Sequence, residues 1–354
     1  YPAILIAWSI ATIAQGFAQT LAVLIACRMM IGVFEAPSYP INNKIVTSWF
    51  PEQERASAIA VYTSGQFIGI AFLLPALALV QTAFGWRGLF HVSGAVGLVW
   101  ALVWFLFYRD PDEHRTMTTE ERDYIARGGG ITKVPMTAAS RQPINWRALR
   151  EAFSHRKLWG IYIGQFCIGG MLMFFLTWFP TYLVKYRGLD FIKSGFYASI
   201  PFIAAFCGVL LAGFVSDYLV RRGHSVEFAR KAPVVTGMLL STAILGANYT
   251  NSVFGIIACL SLAFFGNGLA SITWVFVSLI APKPMVGLVG GCFNFVGGLA
   301  AVIVPLVIGV LAQGGNFEFA LAFIAALGLV GVASYLFLVG KVERIETGCW
   351  EVLE

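Results

Sequence analysis

Ten apolar segments, each about as long as a bilayer is thick, make up most of this 354-residue sequence. A transmembrane α-helix needs roughly 20 consecutive apolar residues, so each segment predicts one membrane-spanning helix. Hydrophobic residues amount to 58% of the chain and charged residues to 12%, which excludes a disordered, collagenous, coiled-coil or ordinary soluble protein. The sequence therefore predicts an all-α polytopic membrane protein. The predicted spans are 2–22, 25–48, 54–80, 87–108, 157–185, 192–220, 230–250, 252–281, 285–313 and 317–340.

One long polar stretch, 109–156, divides four of these spans from the other six. We interpret it as a linker between a first group of helices at 1–108 and a second bundle at 157–340, which is followed by a tail at 341–354. Two equal halves of six helices are the plan of a large class of transporters. The chain thus holds about ten of twelve expected helices. Because its first apolar segment starts at the beginning of the chain, we expect that upstream sequence is missing.

Lysine and arginine residues are concentrated on one side of the predicted spans. The linker, extended to residue 157, carries ten of them and the 216–231 loop carries four, whereas the loops on the opposite side carry four in all. Cytoplasmic loops of membrane proteins are enriched in basic residues, so the linker and the tail are predicted to be cytoplasmic. The same distribution explains the net charge of +6 without a basic patch, and no nucleic-acid partner is expected.

Motifs of enzymes and of nucleotide or metal sites are absent from the sequence. It contains no HExxH, no GxSxG, no P-loop and no GxGxxG that opens a βαβ unit. Its six cysteines form no CxxC pair, and its four histidines lack ligand spacing. We therefore predict that the protein is not an enzyme, holds no metal or other cofactor and does not use ATP to drive transport.

The second span carries charged residues where lipid is expected, and a charge at mid-bilayer costs on the order of 3 kcal/mol. Glu35 lies near the middle of the span, and Arg28, two helical turns earlier, shares its face at about 10 Å. One hypothesis makes Glu35 a proton-exchanging carboxyl and Arg28 the partner of an anion or a carboxylate. The alternative is a static ion pair or an interhelical bond. Pro37 and Pro40 follow Glu35 in the sequence. Because proline has no backbone N–H, they leave backbone carbonyls without a hydrogen-bond donor.

Uncharged polar residues mark the third and fifth spans. Tyr62, Gln66 and Gly69 form one stripe of the third helix, and Gln165 lies deep in the fifth span. Glutamine both donates and accepts hydrogen bonds, as a hydroxyl-rich ligand requires. Both glutamines are therefore candidate ligand contacts, and the alternative is a hydrogen bond that holds two helices together.

The eighth span combines amide, hydroxyl and indole groups. Asn267, Ser271 and Trp274 share one helical face, and Thr273 joins them only if the helix is irregular there. The amide and hydroxyl groups suit the hydroxyls of a sugar, and the indole suits the carbon atoms of its ring or chain. The alternative is packing of small residues around a buried asparagine.

Asn294 lies on a stripe of the ninth span with Gly290 and Gly298. Together with Gly287 and Gly291, these glycines predict close approach of a neighbouring helix. Asn294 itself is a candidate ligand contact.

Asp217 stands at a predicted membrane edge, shortly before Arg221 and Arg222. Its spacing of four from Arg221 favours a pair along the helix. An acid at a helix end that faces an arginine of a neighbouring helix can also act as a latch. Enrichment of basic residues on the cytoplasmic side explains the arginines but not Asp217.

Several segments together resemble the major facilitator superfamily, and within it the anion:cation symporter family. The resemblance runs from Tyr1 to about Lys341. The sequence is most similar to the family's bacterial sugar-acid permeases, those for D-galactonate above all. The segments that carry it include GVFEAPSYPINNKIVTSWFPEQERASAIAVYTSGQFIG, FFLTWFPTYL, GFVSDYLVRRG, FFGNGLASITW and GGCFNFVGGLAAVIVPLVIG.

The resemblance implies the major facilitator fold and a monomeric, multi-pass protein of the bacterial inner membrane. It implies import of a small sugar-acid anion together with protons, by alternating access between two helix bundles. Glu35 and Arg28 resemble the family's proton carboxyl and its companion arginine, and Asp217 with Arg221 and Arg222 resembles a gate motif. Contacts to substrate are implied for Gln66, Gln165, Ser271, Thr273, Trp274 and Asn294, to which the helical stripes add Tyr62 and Asn267 as candidates.

The family's first two helices have no counterpart in the sequence, and they carry a protonatable aspartate and a first copy of the gate motif. We therefore expect that this polypeptide alone does not transport. Hexuronate, glucarate or another organic anion is an alternative substrate. A non-transporting sugar-acid receptor is a further alternative, which predicts a soluble signalling domain that is not visible in the sequence.

Overall fold

The computed structural model describes residues 1–111, 114, 117–130, 146–188, 191–282, 285–313 and 317–345. These residues form helices and contain no strand, which confirms the predicted all-α class. A helix satisfies its own backbone hydrogen bonds, as apolar surroundings require. The predicted linker 109–156 and tail 341–354 lie partly outside the described residues, and the loop residue Lys283 and Cys349 lie wholly outside them.

The chain divides into two compact units. Unit 1 consists of Tyr1–Trp49 and Gly69–Val134, and unit 2 consists of Phe50–Ile68 and Pro135–Glu354. One long helix contributes to both units, because its first part belongs to unit 2 and its later part to unit 1. The predicted domain boundaries stay a prediction.

Unit 1 contains three helices, the later part of α4 and one short helix. Thr20 begins α2 by accepting a hydrogen bond from the backbone of Val23. Helix α1 packs against the later part of α4, where a Cβ atom on Gly94 or Gly97 would collide with Ser9. The helices are α1 (Pro2–Gly16), α2 (Leu21–Glu35), α3 (Ser38–Trp49), α4 (Arg55–Phe107, broken at Gly85 with φ 68°) and α5 (Thr119–Arg127).

Among the described residues, unit 2 contains the first part of α4, a three-residue helix at Phe179–Thr181 and eight longer helices, with α10 packed against α8 and α9. Gly237 and Gly266 face each other so closely that a Cβ atom on either would collide with the other's carbonyl oxygen. Helix α10 ends in a 3₁₀ turn at Ser271–Thr273, so the irregularity on which Thr273 depends is present. The helices are α6 (Trp146–Ala152), α7 (Arg156–Thr177), α8 (Phe191–Arg221), α9 (Val226–Ser241), α10 (Val253–Ala270), α11 (Trp274–Ile280), α12 (Val286–Leu311) and α13 (Glu318–Ala333).

Nine helical segments of the described residues are long and apolar enough to cross a membrane. Helix α1 is shorter and ends at Gly16 rather than at residue 22, so the count of ten full spans stays a prediction. The predicted span 25–48 is interrupted between α2 and α3 at Pro37, which lacks a backbone donor. The nine segments are Leu21–Trp49, Arg55–Leu73, Leu79–Phe107, Arg156–Thr177, Ser199–Arg221, Val226–Asn248, Val253–Ile280, Val286–Leu311 and Glu318–Leu338.

Candidate functional site

Gln165 and Thr273, two predicted ligand contacts, lie next to each other inside unit 2. The Thr273 hydroxyl donates a hydrogen bond of 2.9 Å to Oε1 of Gln165, which joins α7 to the 3₁₀ turn after α10. Gly297 of α12 leaves room for Gln165, because a Cβ atom there would lie 2.6 Å from its Cγ. Thr273 is only 1% exposed. The bond leaves the amide group of Gln165 with a free hydrogen-bonding capacity, since an amide can make up to four such bonds.

Trp274 follows Thr273 and is also buried, at 3% exposure. Its ring meets Phe293 of α12 at a centroid distance of 4.8 Å. The Ser271 hydroxyl donates to the carbonyl of Gly268 at 2.6 Å, in the preceding turn of its own helix. Within this segment, Thr273 is therefore the residue whose hydroxyl reaches a neighbouring helix.

Asn267 lies one turn before Ser271 and is 3% exposed. It lines a small cavity with residues of α7, α9 and α13, among them Cys167, Ser241 and Gly328. Its Nδ2 atom has no hydrogen-bond partner in the described part of the chain. The structure thus places Asn267 on an internal cavity of unit 2.

Asn294 is half-buried on α12, and the predicted close approach does not occur at three of the four glycines around it. A Cβ atom on Gly287, Gly291 or Gly298 would meet no described atom within 4 Å. Gly287, Gly291 and Gly298 therefore leave their side of α12 open, whereas Gly290 is buried.

Tyr62 and Gln66 are half-buried in the first part of α4, which belongs to unit 2. The next residue, Phe67, meets the ring of Phe264 edge-on at 5.5 Å. Phe264 in turn stacks on Phe175 of α7 at 3.9 Å. An aromatic cluster of unit 2 therefore holds this part of α4 beside α7 and α10.

Asp217 does not pair with Arg221, so the predicted pair along the helix is wrong. Its carboxylate forms a buried ion pair with Arg230 of α9 and accepts a 2.6 Å hydrogen bond from the backbone of Ser57. Ser57 lies in the first turn of α4, where the helix dipole favours a negative charge. The neighbouring helix α9 thus supplies a closer arginine than the helix of Asp217 itself.

Arg221 and Arg222 take different roles. Arg221 forms a 3.0 Å ion pair with Glu54, at the end of the loop before α4. Arg222 lies over the ring of Tyr218 at 5.0 Å and is exposed. We call the set Ser57, Glu54, Asp217, Arg221 and Arg230 the latch cluster, since it ties α4 to α8 and α9 within unit 2.

Arg28 and Glu35 lie in unit 1. Glu35 is the last residue of α2 and is exposed, at the break that Pro37 causes. The Arg28 guanidinium lies 5.8 Å from the ring centroid of Phe90. No ion pair joins Arg28 to Glu35 in the described part of the chain, which argues against the static ion pair.

Arg230 and Gln15 are among the buried polar residues that the sequence predictions did not include. Arg230 is 1% exposed and also donates to the carbonyl of Glu52, but in the sequence it counted only as one more basic loop residue. Gln15 of α1 is 1% exposed, and neither of its amide atoms has a hydrogen-bond partner among the described residues. A polar residue inside an apolar segment was the signal that could have identified Gln15.

Residues 1–226 match the sequence profile of the Major Facilitator Superfamily. A protein of Escherichia coli O6:H1 described as a D-galactonate transporter is 51% identical over 340 residues, which are 96% of this chain and 79% of that protein. A probable galactarate/D-glucarate transporter of Bacillus subtilis is 38% identical over 346 residues, which cover 96% of this chain and 76% of that protein.

Solved structures show the same fold at low identity. The proton:xylose symporter XylE, solved with 6-bromo-6-deoxy-D-glucose, superposes with a TM-score of 0.73 at 12% identity, over 97% of this chain and 81% of that one. The transporter FucP in its outward conformation superposes with a TM-score of 0.65 at 15% identity, over 96% of this chain and 82% of that one. At such identities the likeness concerns the fold alone.

Proposed function

The chain belongs to the major facilitator superfamily of membrane transporters, and on that premise we propose that it imports a sugar-acid anion, D-galactonate or a close analogue, by proton symport. The observation that carries the substrate class is the 51% identity to a D-galactonate transporter over 96% of the chain. Its place is then the bacterial inner membrane, with the linker and the tail in the cytoplasm. The protein is not an enzyme, since its relatives are transporters.

The side chains of unit 2 supply the chemistry that a polyhydroxy acid needs. Gln165, held by Thr273, presents amide donors and acceptors, and the buried indole of Trp274 is the apolar group proposed to contact the carbon atoms of the acid. Gln66 and Asn294 are half-buried amides of the same unit. Ser271, Tyr62 and Asn267 complete the set of proposed contacts.

We assign proton coupling to Glu35 and recognition of the substrate carboxylate to Arg28. An anion that competes for Arg28 changes the charge near Glu35, and so changes the ease with which Glu35 binds a proton. The exposed position of Glu35 at a helix break, without an ion-pair partner in the described residues, supports this role.

We assign gating to the latch cluster and Arg222. The ion pairs of the latch cluster join α8 to α9 and to the loop before α4, and the Ser57 hydrogen bond joins α8 to α4, so separating these elements would break them. Alternating access needs such contacts, because they stabilise one closed state over the other.

Uptake of labelled D-galactonate into vesicles with an imposed proton gradient tests the proposal. The protein as its gene encodes it should show gradient-driven uptake, and Glu35→Gln should lose that component while it retains exchange of labelled for unlabelled substrate. If the gradient drives both proteins equally, Glu35 does not couple the proton.

Galactarate or D-glucarate is the second candidate substrate, because relatives named for these acids are 37–39% identical to the chain. A panel of sugar acids in a thermal-shift assay separates the candidates, since a ligand stabilises the state that binds it. D-galactonate should give the largest shift in melting temperature.

A further inference from the structure

The chain after α13 folds back and lies against the end of α11. Arg344 donates two hydrogen bonds, of 2.9 Å to the carbonyl of Ser278 and of 2.7 Å to that of Ala281. The backbone of Ile345 donates a third, of 2.9 Å, to the carbonyl of Ile280. Three carbonyls at the end of α11 are therefore satisfied by residues more than sixty positions away in the sequence.

These bonds matter because α11 is the last part of the helical segment Val253–Ile280 and begins directly after the 3₁₀ turn. A helix leaves its last carbonyls without partners inside the helix, and a cation near that end is favourable. The three bonds therefore hold the end of this segment, whose last seven residues are α11. The other end of α11 is Trp274, directly after Thr273, whose hydroxyl meets Gln165.

The start of the tail is held as well. Lys231 of α9 donates to the carbonyl of Gly340 and pairs with Glu227 at 2.9 Å. Residues 341–345 thus run from a contact on α9 to a contact on α11.

Arg344 also links to the loop that carries part of the latch cluster. Burial lowers the pKa of its guanidinium, and the carboxylate of Glu52 opposes that effect, so the two groups interact. The carbonyl of Glu52 accepts a hydrogen bond of 2.6 Å from Arg230, the partner of Asp217. The tail therefore lies near the loop before α4 as well as at the end of α11.

We propose that Arg344 is a positioning residue for the substrate site: by closing the end of α11, it keeps Thr273 in contact with Gln165 and Trp274 in place directly after Thr273. This inference rests on the proposed function, because it assigns the site to a sugar acid. The planar guanidinium of Arg344 presents two separate nitrogens, Nη1 and Nη2, to two carbonyls, a spacing that the single ammonium nitrogen of a lysine does not offer.

Hydrogen–deuterium exchange and D-galactonate binding, measured on the purified protein, test the proposal. Arg344→Ala should make backbone exchange in 274–281 about tenfold faster and weaken D-galactonate binding about fivefold. Arg344→Lys should lie between Arg344→Ala and the unchanged protein, and carries the test if Arg344→Ala does not fold. Lys341→Ala removes an exposed tail charge and should change neither measurement.

The outcomes separate this inference from the proposed function. If exchange in 274–281 is unchanged in both Arg344 variants, or if exchange rises while binding stays at the unchanged protein's value, the positioning role is overturned. If the unchanged protein binds no D-galactonate, the proposed function fails, and faster exchange in the variants still supports Arg344 as the residue that holds α11.

Discussion

The candidate functional side chains of units 1 and 2 differ in whether they are bonded to a partner. In unit 2, Asp217 is paired with Arg230, and Thr273 is bonded to Gln165. In unit 1, Glu35 is exposed and has no ion-pair partner among the described residues. A paired group is held in one position, whereas a carboxyl without an ion-pair partner can change its charge without breaking an ion pair. The comparison favours a fixed contact site in unit 2 and a titrating group in unit 1.

Among the variants that test this contrast, Arg230→Ala should have the largest effect. It leaves Asp217 as a buried charge without its ion-pair partner, and we expect a loss of about 3–5 kcal/mol in the free energy of unfolding. Unfolding of the purified protein in detergent measures it. Arg222→Ala removes an exposed arginine nearby and should cost within about 0.5 kcal/mol. Equal losses in the free energy of unfolding of the two variants would show that the buried ion pair adds no stability.

Gly266→Ala should have the next largest effect. Its new methyl group would collide with backbone atoms of α9, and overpacking of this kind costs about 1–3 kcal/mol. Gly291→Ala is the matched control on the open face of α12, where the methyl group meets no described atom and alanine favours the helix. Melting temperatures should shift in opposite directions, and a shared fall would contradict the open face.

Thr273→Val tests the contact between α7 and the 3₁₀ turn at nearly constant volume. It removes the donor to Gln165, so we expect a loss of about 1 kcal/mol in stability and weaker binding of D-galactonate. Ser271→Ala loses only a bond within its own helix and should change stability by less. A larger loss of stability in Ser271→Ala than in Thr273→Val would contradict the proposed importance of the contact between Thr273 and Gln165.

Glu35→Gln should have the smallest effect on stability, within about 0.5 kcal/mol, because the side chain is exposed. The same variant should abolish gradient-driven uptake. A thermal melt of the purified variant checks the first part. A loss as large as that of Thr273→Val would mean that Glu35 is a structural residue, and the contrast between the units would disappear.

Much of the helical organisation could be predicted from the sequence, since hydropathy depends on each segment alone. The spans predicted at 252–281 and 285–313 agree closely with Val253–Ile280 and Val286–Leu311. The break at Pro37 and the irregular turn at Thr273 also follow from local chemistry. These features need no knowledge of neighbouring helices.

Contacts between helices were harder to predict. The spacing of Asp217 and Arg221 favoured a pair that does not form, because a second arginine on α9 lies closer. Glycine spacing on α12 predicted a close neighbour, whereas close approach occurs at Gly237 and Gly266. Spacing describes one helix and does not identify the helix that packs against it.

The sequence by itself determined that this chain is a helical membrane protein with polar side chains inside its apolar segments. Hydropathy depends on residue type alone, and so does the cost of placing a polar side chain in lipid. Only the tertiary structure decided which partner each polar group has. Thr273 and Gln165 lie 108 positions apart, and Arg344 reaches Ala281 across 63 positions. Such pairs arise from the packing of whole helices, which brings together groups that no local pattern relates.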